Sequence, residues 1–473
     1  MTAIASTQFT HSAAIRPRAT LALVILATAL SSLEVGLVNV ALPTLAATFG
    51  VGLVTIQWVV LAYQLAIVST LVLFGRLVDL FGGRRLYLSG MAAIATASLL
   101  ATASQSALWL ILARGLLGLG AAMLLSTGQA LVATAYPDAG RGRALGVMHM
   151  AVAGGLMAGP AIGGLLLATI GWRAVFLAPV PLALGTFFWA WKILPRGIGQ
   201  RHMPLDYAGA LLVFIVVLTA VLGMTQLARH GWGGRAAVLI FLAMSLSLLL
   251  VVVERRRPAP LIDLSLLAHW NISAGVVVAF LTFIALASNM FLIPFALQDL
   301  MGYPAAPAGL LMMTAPLAIL PTALLSGILA DRIGNRLPAT AGLVLIVGAI
   351  VGMSQFRTGT AIWFVLAVLI LYGVGAGLFQ APNNSAVLGA APADRVGTIS
   401  GMLALSRNLG QITGIALAST VWTWRQAHYE QITSPPLSPL ALGLRDGFLV
   451  LAGFGAVAMV ISMMKRNQKE RTS

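Results

Sequence analysis

The sequence predicts an all-α polytopic membrane protein of fourteen spans, and three observations lead there. Of the 473 residues, 59% are hydrophobic and only 8% charged, against about a quarter charged in an ordinary soluble domain; the mean hydropathy is +0.97. Apolar runs long enough to cross a hydrocarbon core recur along the whole chain without the alternation of a barrel, so their backbone groups must pair within helices. A polar turn between two such runs, Gly75-Arg76-Leu77-Val78-Asp79-Leu80-Phe81-Gly82-Gly83-Arg84-Arg85, comes back as Gly327-Ile328-Leu329-Ala330-Asp331-Arg332-Ile333-Gly334-Asn335-Arg336, with each matched position 252 residues on. Such an echo is the trace of a duplicated membrane unit.

The runs follow in order. Six lie near residues 20–45, 57–77, 86–102, 108–133, 143–170 and 173–193, and a polar link of 194–205 ends them. Two more, 206–227 and 235–253, have no counterpart elsewhere and stop at Glu254-Arg255-Arg256-Arg257-Pro258. The remaining six, near 272–297, 308–330, 339–353, 361–387, 397–421 and 448–464, repeat the first plan. This divides the chain into an N-terminal tail (1–19), a first six-helix half (20–195), a linker with two extra spans (196–258), a second half (259–465) and a C-terminal tail (466–473). The segment 424–446, with Pro435, Pro436 and Pro439, reads as an irregular external cap or a plain solvated connector.

Charge sets the expected orientation. With both termini in the cytoplasm, 20 of the 28 basic residues fall in cytoplasmic loops, and the opposite orientation reverses that bias. The formal net charge of +16 thus follows membrane topology and does not imply nucleic acid. Cysteine is absent, which excludes disulfides and cysteine-based metal sites. No short apolar core with a cleavage site precedes the first run, so an uncleaved start in the cytoplasmic (inner) membrane is expected.

The paired loops resemble the cytoplasmic loop signature of the major facilitator superfamily of secondary transporters. The carrying positions are Gly75, Asp79, Gly82, Arg84 and Arg85, echoed by Gly327, Asp331 and Gly334. Taken without the resemblance, each is a basic turn whose glycines permit a tight bend.

Glu34 is the one acid in the middle of an expected span. A carboxyl group in lipid is costly and by default faces a cavity or partner, and burial disfavours its charged form. Its context, Glu34-Val35-Gly36-Leu37-Val38-Asn39-Val40-Ala41-Leu42-Pro43, resembles the first-helix motif of the fourteen-span drug:proton antiporter family, where aspartate normally leads. Arg114, in Arg114-Gly115-Leu116-Leu117-Gly118-Leu119-Gly120-Ala121, resembles the fourth-helix motif, with Leu117 where the family has glutamine. Both are read as proton-coupling residues, the alternative being a locked structural carboxylate and its clamp. Gly155, Gly159, Pro160, Gly163 and Gly164 match the antiporter signature of the fifth span. Glycines four apart form a smooth packing face, and Pro160 permits a bend. Gly410 and Gly414 repeat that face, but Ile415 replaces Pro160 and Leu286 is expected opposite Glu34.

His149 and Arg407 are weaker candidates. A substrate cavity between the halves is expected to draw on Asn39, Trp58, Tyr63, Gln64, Gln129, Asn289, Phe291, Gln380, Asn383 and Asn384, whose polarity or aromaticity stands out in apolar spans. The resemblance implies a proton-coupled antiporter exporting lipophilic or amphiphilic small molecules, monocations or neutral amphiphiles foremost, by alternating access. It works as a monomer in the bilayer, with no cofactor and the proton gradient as energy source. No Gly-x-x-x-x-Gly-Lys loop for ATP and no catalytic cluster accompanies these residues. A proton-coupled importer, an exporter of one specific metabolite and a non-transporting receptor are the competing readings.

Overall fold

The computed structural model describes residues 17–136, 141–195, 207–230, 233–255, 266–390, 392, 396–432 and 438–465. The expected C-terminal tail, residues 1–16 of the N-terminal tail and most of the link after residue 194 therefore lie outside the described residues, while residues 17–19 of the expected N-terminal tail are helical. The side chains of Asp79, Gln129, His149 and Asp331 also lie outside the described set.

All regular structure among the described residues is helical. The first set comprises α1 (Pro17–Phe49), α2 (Trp58–Phe81), α3 (Gly83–Thr102), α4 (Ala107–Ala135), α5 (Arg141–Thr169) and α6 (Pro179–Ile193). Two helices follow, α7 (Tyr207–His230) and α8 (Gly234–Arg255). The second set comprises α9 (Trp270–Ala287), α10 (Ala305–Ile333), α11 (Arg336–Met353), α12 (Ile362–Gly389), α13 (Val396–Ile432) and α14 (Pro439–Met463). Among the described residues, 11 helices are long and apolar enough to cross a membrane. The helices α3 and α13 and the shorter apolar stretch Leu211–Leu227 of α7 are not among them. The first two are diluted by polar side chains, such as Arg84 and Arg85 in α3 and Arg407, Asn408 and Gln411 in α13.

The two sets repeat one packing plan. Helix α1 lies along α5 while α2 and α3 lie on α4; in the second set α9 lies along α13 while α10 and α11 lie on α12. Glycines make the approaches possible. A Cβ on Gly90 would come within 3.1 Å of the Gly120 carbonyl, and one on Gly342 within 2.6 Å of the Gly375 carbonyl. Likewise a Cβ on Gly155 would meet the Ala29 carbonyl at 2.5 Å, while Gly410 presses on the Phe280 carbonyl. These contacts correct the expected register. Gly159 faces Leu33 and Gly36 as Gly414 faces Ile284 and Ala287, so Glu34 corresponds to Ala285, one residue short of Leu286.

The paired turns also coincide. Gly82 has φ 84° and Gly334 φ 86°, and each N–H closes its helix at 2.9 Å, on Val78 and Ala330 respectively. A side chain with these angles is strained, which explains the glycine at both turns. A Cβ on Gly75 or Gly327 would meet nothing within 4 Å.

The region expected as an irregular cap over residues 424–446 is instead largely helix. Arg425 and Tyr429, one turn apart on α13, both bind Asp446 of α14, at 2.5 and 2.9 Å, and Arg445 adds a contact at 3.3 Å. Satisfying these charges by side chains lets both helices run on past the expected span ends. Residues 433–437 lie outside the described set.

The two sets meet firmly at one end only. One apolar core joins residues 37–68 of α1 and α2 to α9–α14, whereas near the paired turns each set has its own core, around Leu23, Phe74 and Leu86 or around Ile272, Val387 and Ile399. Near the paired turns no apolar core of described residues joins the two sets. On one flank α5 packs on α10; on the other α7 lies on both α2 and α13, with Thr420 donating to the Met224 carbonyl at 3.2 Å. Helix α8 packs chiefly on α7 and turns Val238, Phe241 and Met244 outward.

Gly82→Ala and Gly334→Ala are each expected to destabilise the protein by about 1–3 kcal/mol. Gly75→Ala, in a helix interior with open space, should instead stabilise it by about 0.5–1 kcal/mol. Thermal unfolding in detergent checks this, and equal effects at all three positions would contradict the strained-turn account.

Candidate functional site

The glycine contacts of α1 with α5 turn Glu34 the other way, toward α2, α3 and α4. It is 4% exposed, and Arg114 on α4 is 1% exposed. Arg114 Nη1 lies 3.4 Å from Glu34 Oε2, and the Ser98 hydroxyl on α3 donates to Oε1 at 3.2 Å. The guanidinium also donates from Nε to the Val59 carbonyl at 3.0 Å and sits 4.4 Å above the Tyr63 ring on α2. Tyr63 in turn donates to the Ser31 carbonyl of α1 at 3.4 Å. Gly118, one turn after Arg114, lets α4 press against the Tyr63 carbonyl, which brings the ring beneath the cation.

Four helices thus contribute to one closed network. A buried charge pair is tolerable only when its remaining donors and acceptors are satisfied, and here they largely are. Sequence reasoning brought Glu34, Arg114 and Tyr63 forward but missed Ser98 and the Val59 carbonyl. Leu117, in the place of the family glutamine, is buried in the first set's core.

The corresponding positions in the second set are Ala285, Ala315, Ile350 and Leu369, by the register of the glycine contacts, and all are 0% exposed. The ion pair has an apolar core as its counterpart.

A second polar group joins the two sets. Gln64 of α2 donates to Gln411 of α13 at 2.7 Å, and Gln411 donates to the Met290 sulfur at 2.7 Å. Met290 and Asn289 lie on a wide π-helical turn, Ser288–Leu292, that continues α9, and a second such turn follows at Ala296–Leu300. Turns of this kind often mark functional positions. The Ser288 hydroxyl and the Asn289 side-chain oxygen are buried there without a hydrogen bond. Gln411 was missed by sequence reasoning, although an amide inside an apolar run was a usable signal; the π turns have none. Nearer the closed end, Gln298 donates to the Val40 carbonyl at 2.8 Å.

The other expected cavity residues are scattered. Phe291 is core, 5.5 Å from the Phe295 ring. Asn383 accepts from Lys465 at 2.7 Å and donates to the Gly275 carbonyl at 3.3 Å, so its amide is engaged within the second set. Asn39 is buried, Trp58 and Asn384 are half-buried, and Gln380 is exposed. The side chains of Gln129 and His149 lie outside the described set. Arg407 is half-buried on α13, one turn before Gln411. Of the fifth-span signature, Gly155, Gly159 and Gly163 face α1, whereas Pro160 and Gly164 meet Gly309 and Ala305 of α10. Arg84 caps the end of α6 through the Trp191 carbonyl at 2.6 Å, and Arg85 is exposed.

Comparison with known proteins agrees with this architecture. The family model "Major Facilitator Superfamily" matches residues 24–415. The riboflavin transporter RibZ of Clostridioides difficile is 29% identical over 443 residues, covering 93% of this chain and 96% of that protein. The multidrug resistance protein Stp of Mycobacterium tuberculosis is 31% identical over 413 residues, covering 86% of this chain and 76% of its own. The crystal structure of the peptide transporter POT in complex with sulfate superposes with a TM-score of 0.69 at 17% identity, over 94% of this chain and 93% of that one. The chain belongs to the major facilitator superfamily, whose members are membrane transporters and not enzymes.

Proposed function

We propose that the protein is a proton-coupled antiporter that exports amphiphilic small molecules, of the fourteen-span drug:proton antiporter type. The observation that carries this reading is the carboxylate of Glu34, buried among four helices and held by Arg114 and Ser98. A proton and Arg114 compete for the same carboxylate. Protonation removes the charge that holds the guanidinium between α1, α2 and α4, and so loosens the contacts that fix those helices to one another. The two sets would then rock about their shared core, closing the cavity on the paired turns and opening it at the other end.

The remaining expectations enter as parts of this proposal. All fourteen helices cross the cytoplasmic membrane, α3 and α13 despite their polar content and α7 despite its shorter apolar stretch. The halves are 20–195 and 259–465, joined by 196–258, and both tails lie in the cytoplasm. The protein acts as a monomer without cofactor. One proton crossing a potential of 100 mV releases about 2.3 kcal/mol, enough for a tens-fold gradient. Gly159 and Pro160, packed on Gly36, match the exporter signature and favour export over import. The name of RibZ, a riboflavin transporter, supports one narrower reading, an exporter or proton-coupled importer of a specific metabolite.

In proteoliposomes under an imposed pH gradient, Glu34→Gln is expected to abolish gradient-driven transport while leaving substrate binding intact. Equal transport by both proteins would place the proton elsewhere.

The ion pair also predicts a stability pattern. Arg114→Met alone leaves an uncompensated buried carboxylate and should cost about 3–5 kcal/mol, whereas Glu34→Leu combined with Arg114→Met should recover most of that loss. A double-mutant cycle followed by thermal unfolding decides it, and additive losses would contradict the coupling.

A further inference from the structure

Arg407 is the cation that the proposed mechanism leaves unused. It lies on α13 four residues before Gln411, hence on the same helix face and about 6 Å nearer the paired turns. Gln411 accepts from Gln64 of the first set. Neighbouring positions on α13 are turned into the second set: Ser406 donates to the Val276 carbonyl and Gly410 presses on Phe280. The guanidinium itself has no hydrogen bond and no ion pair among the described residues.

Among the described residues no acid is placed to neutralise it. The described acidic side chains are Glu34, Asp299, Glu430 and Asp446. Glu34 is closed off against Arg114. Asp446 is held by Arg425 and Arg445, Glu430 bonds Gln426, and Asp299 lies on the turn that follows Gln298, all at the closed end. The other unusual cation, Lys465, is bound to Asn383 behind α9.

A guanidinium stays protonated throughout the accessible pH range, and its planar donors fit a carboxylate in pairs. In a cavity walled by apolar helices its field is weakly screened, so it attracts anions and repels cations. We propose that Arg407 is a specificity-determining residue that receives an anionic group of the substrate, a carboxylate in the first instance, with Gln411 and Gln64 beside it and the apolar part of the ligand lying against Met290. This rests on the antiport proposal and reverses its expected preference, since the charge that could attract a lipophilic cation is held by Arg114. Outward movement of a monoanion and inward movement of a proton both displace charge in the direction favoured by an inside-negative potential.

The test compares two probes of one shape, pyrenebutyrate and its neutral amide, by fluorescence binding to the full-length protein in uncharged detergent. Wild type should bind the acid roughly tenfold more tightly than the amide, the order expected for a close charge pair. Arg407→Gln should remove that preference while leaving amide affinity unchanged, and Arg407→Lys should restore part of it; monodisperse elution and an unchanged unfolding temperature establish that each variant is folded. Equal affinity of wild type for the two probes, a preference that survives Arg407→Gln, or binding of neither probe overturns the proposal. Glu34→Gln separates the two readings. If the acid preference persists in that variant while gradient-driven transport also persists, the antiport proposal fails and the anion site stands.

Discussion

The structure depends on one approach that no side chain could permit. At Gly36 and Gly159 the backbones of α1 and α5 come so close that a Cβ on Gly159 would lie 2.6 Å from the Gly36 Cα. In a bilayer, where apolar surface gains nothing by leaving lipid, such close packing is a principal source of helix association. It also fixes the rotation of α1. With Ala29, Leu33 and Gly36 on α5, Glu34 has only the α2–α4 side to face, and there it meets Arg114, Ser98 and the ring of Tyr63.

Duplication kept this scaffold and left the chemistry in one copy. The second set repeats the glycine contacts, with Gly373 on Ala315 as Gly118 is on Tyr63, yet fills the place of the ion pair with alanine, isoleucine and leucine. The asymmetry has a physical logic. In the proposed cycle one half carries a charge pair to be made and broken, and the other offers an apolar body for it to move against.

Much of this was legible in the sequence. The apolar runs, the paired turns and the glycines four apart all follow from period and spacing, because lipid restricts backbone structure to so few forms. Glu34 and Arg114 stood out because charges are rare in such runs. Ser98 did not, since a serine in a transmembrane helix commonly bonds its own backbone, as Ser69 does to Leu65 at 2.6 Å. The long ends of α13 and α14 were hidden for another reason. Prolines and charges near residues 433–446 read as loop, and only the meeting of Arg425, Tyr429 and Asp446 in three dimensions makes helix the better solution. The partner of Asn383 was hidden similarly, because Lys465, which donates to its amide oxygen, lies 82 residues away.

The inserted pair α7 and α8 gives the protein a lateral asymmetry. On the α5–α10 flank the two sets touch directly. On the other flank α7 spans the gap between α2 and α13, and its outer partner α8 presents Phe241, Met244 and Leu248 to the surrounding lipid. In the proposed rocking cycle, thickness and fluidity of the bilayer would act on this flank through α7, and the speed of that cycle would become a property shared between the chain and the membrane that holds it.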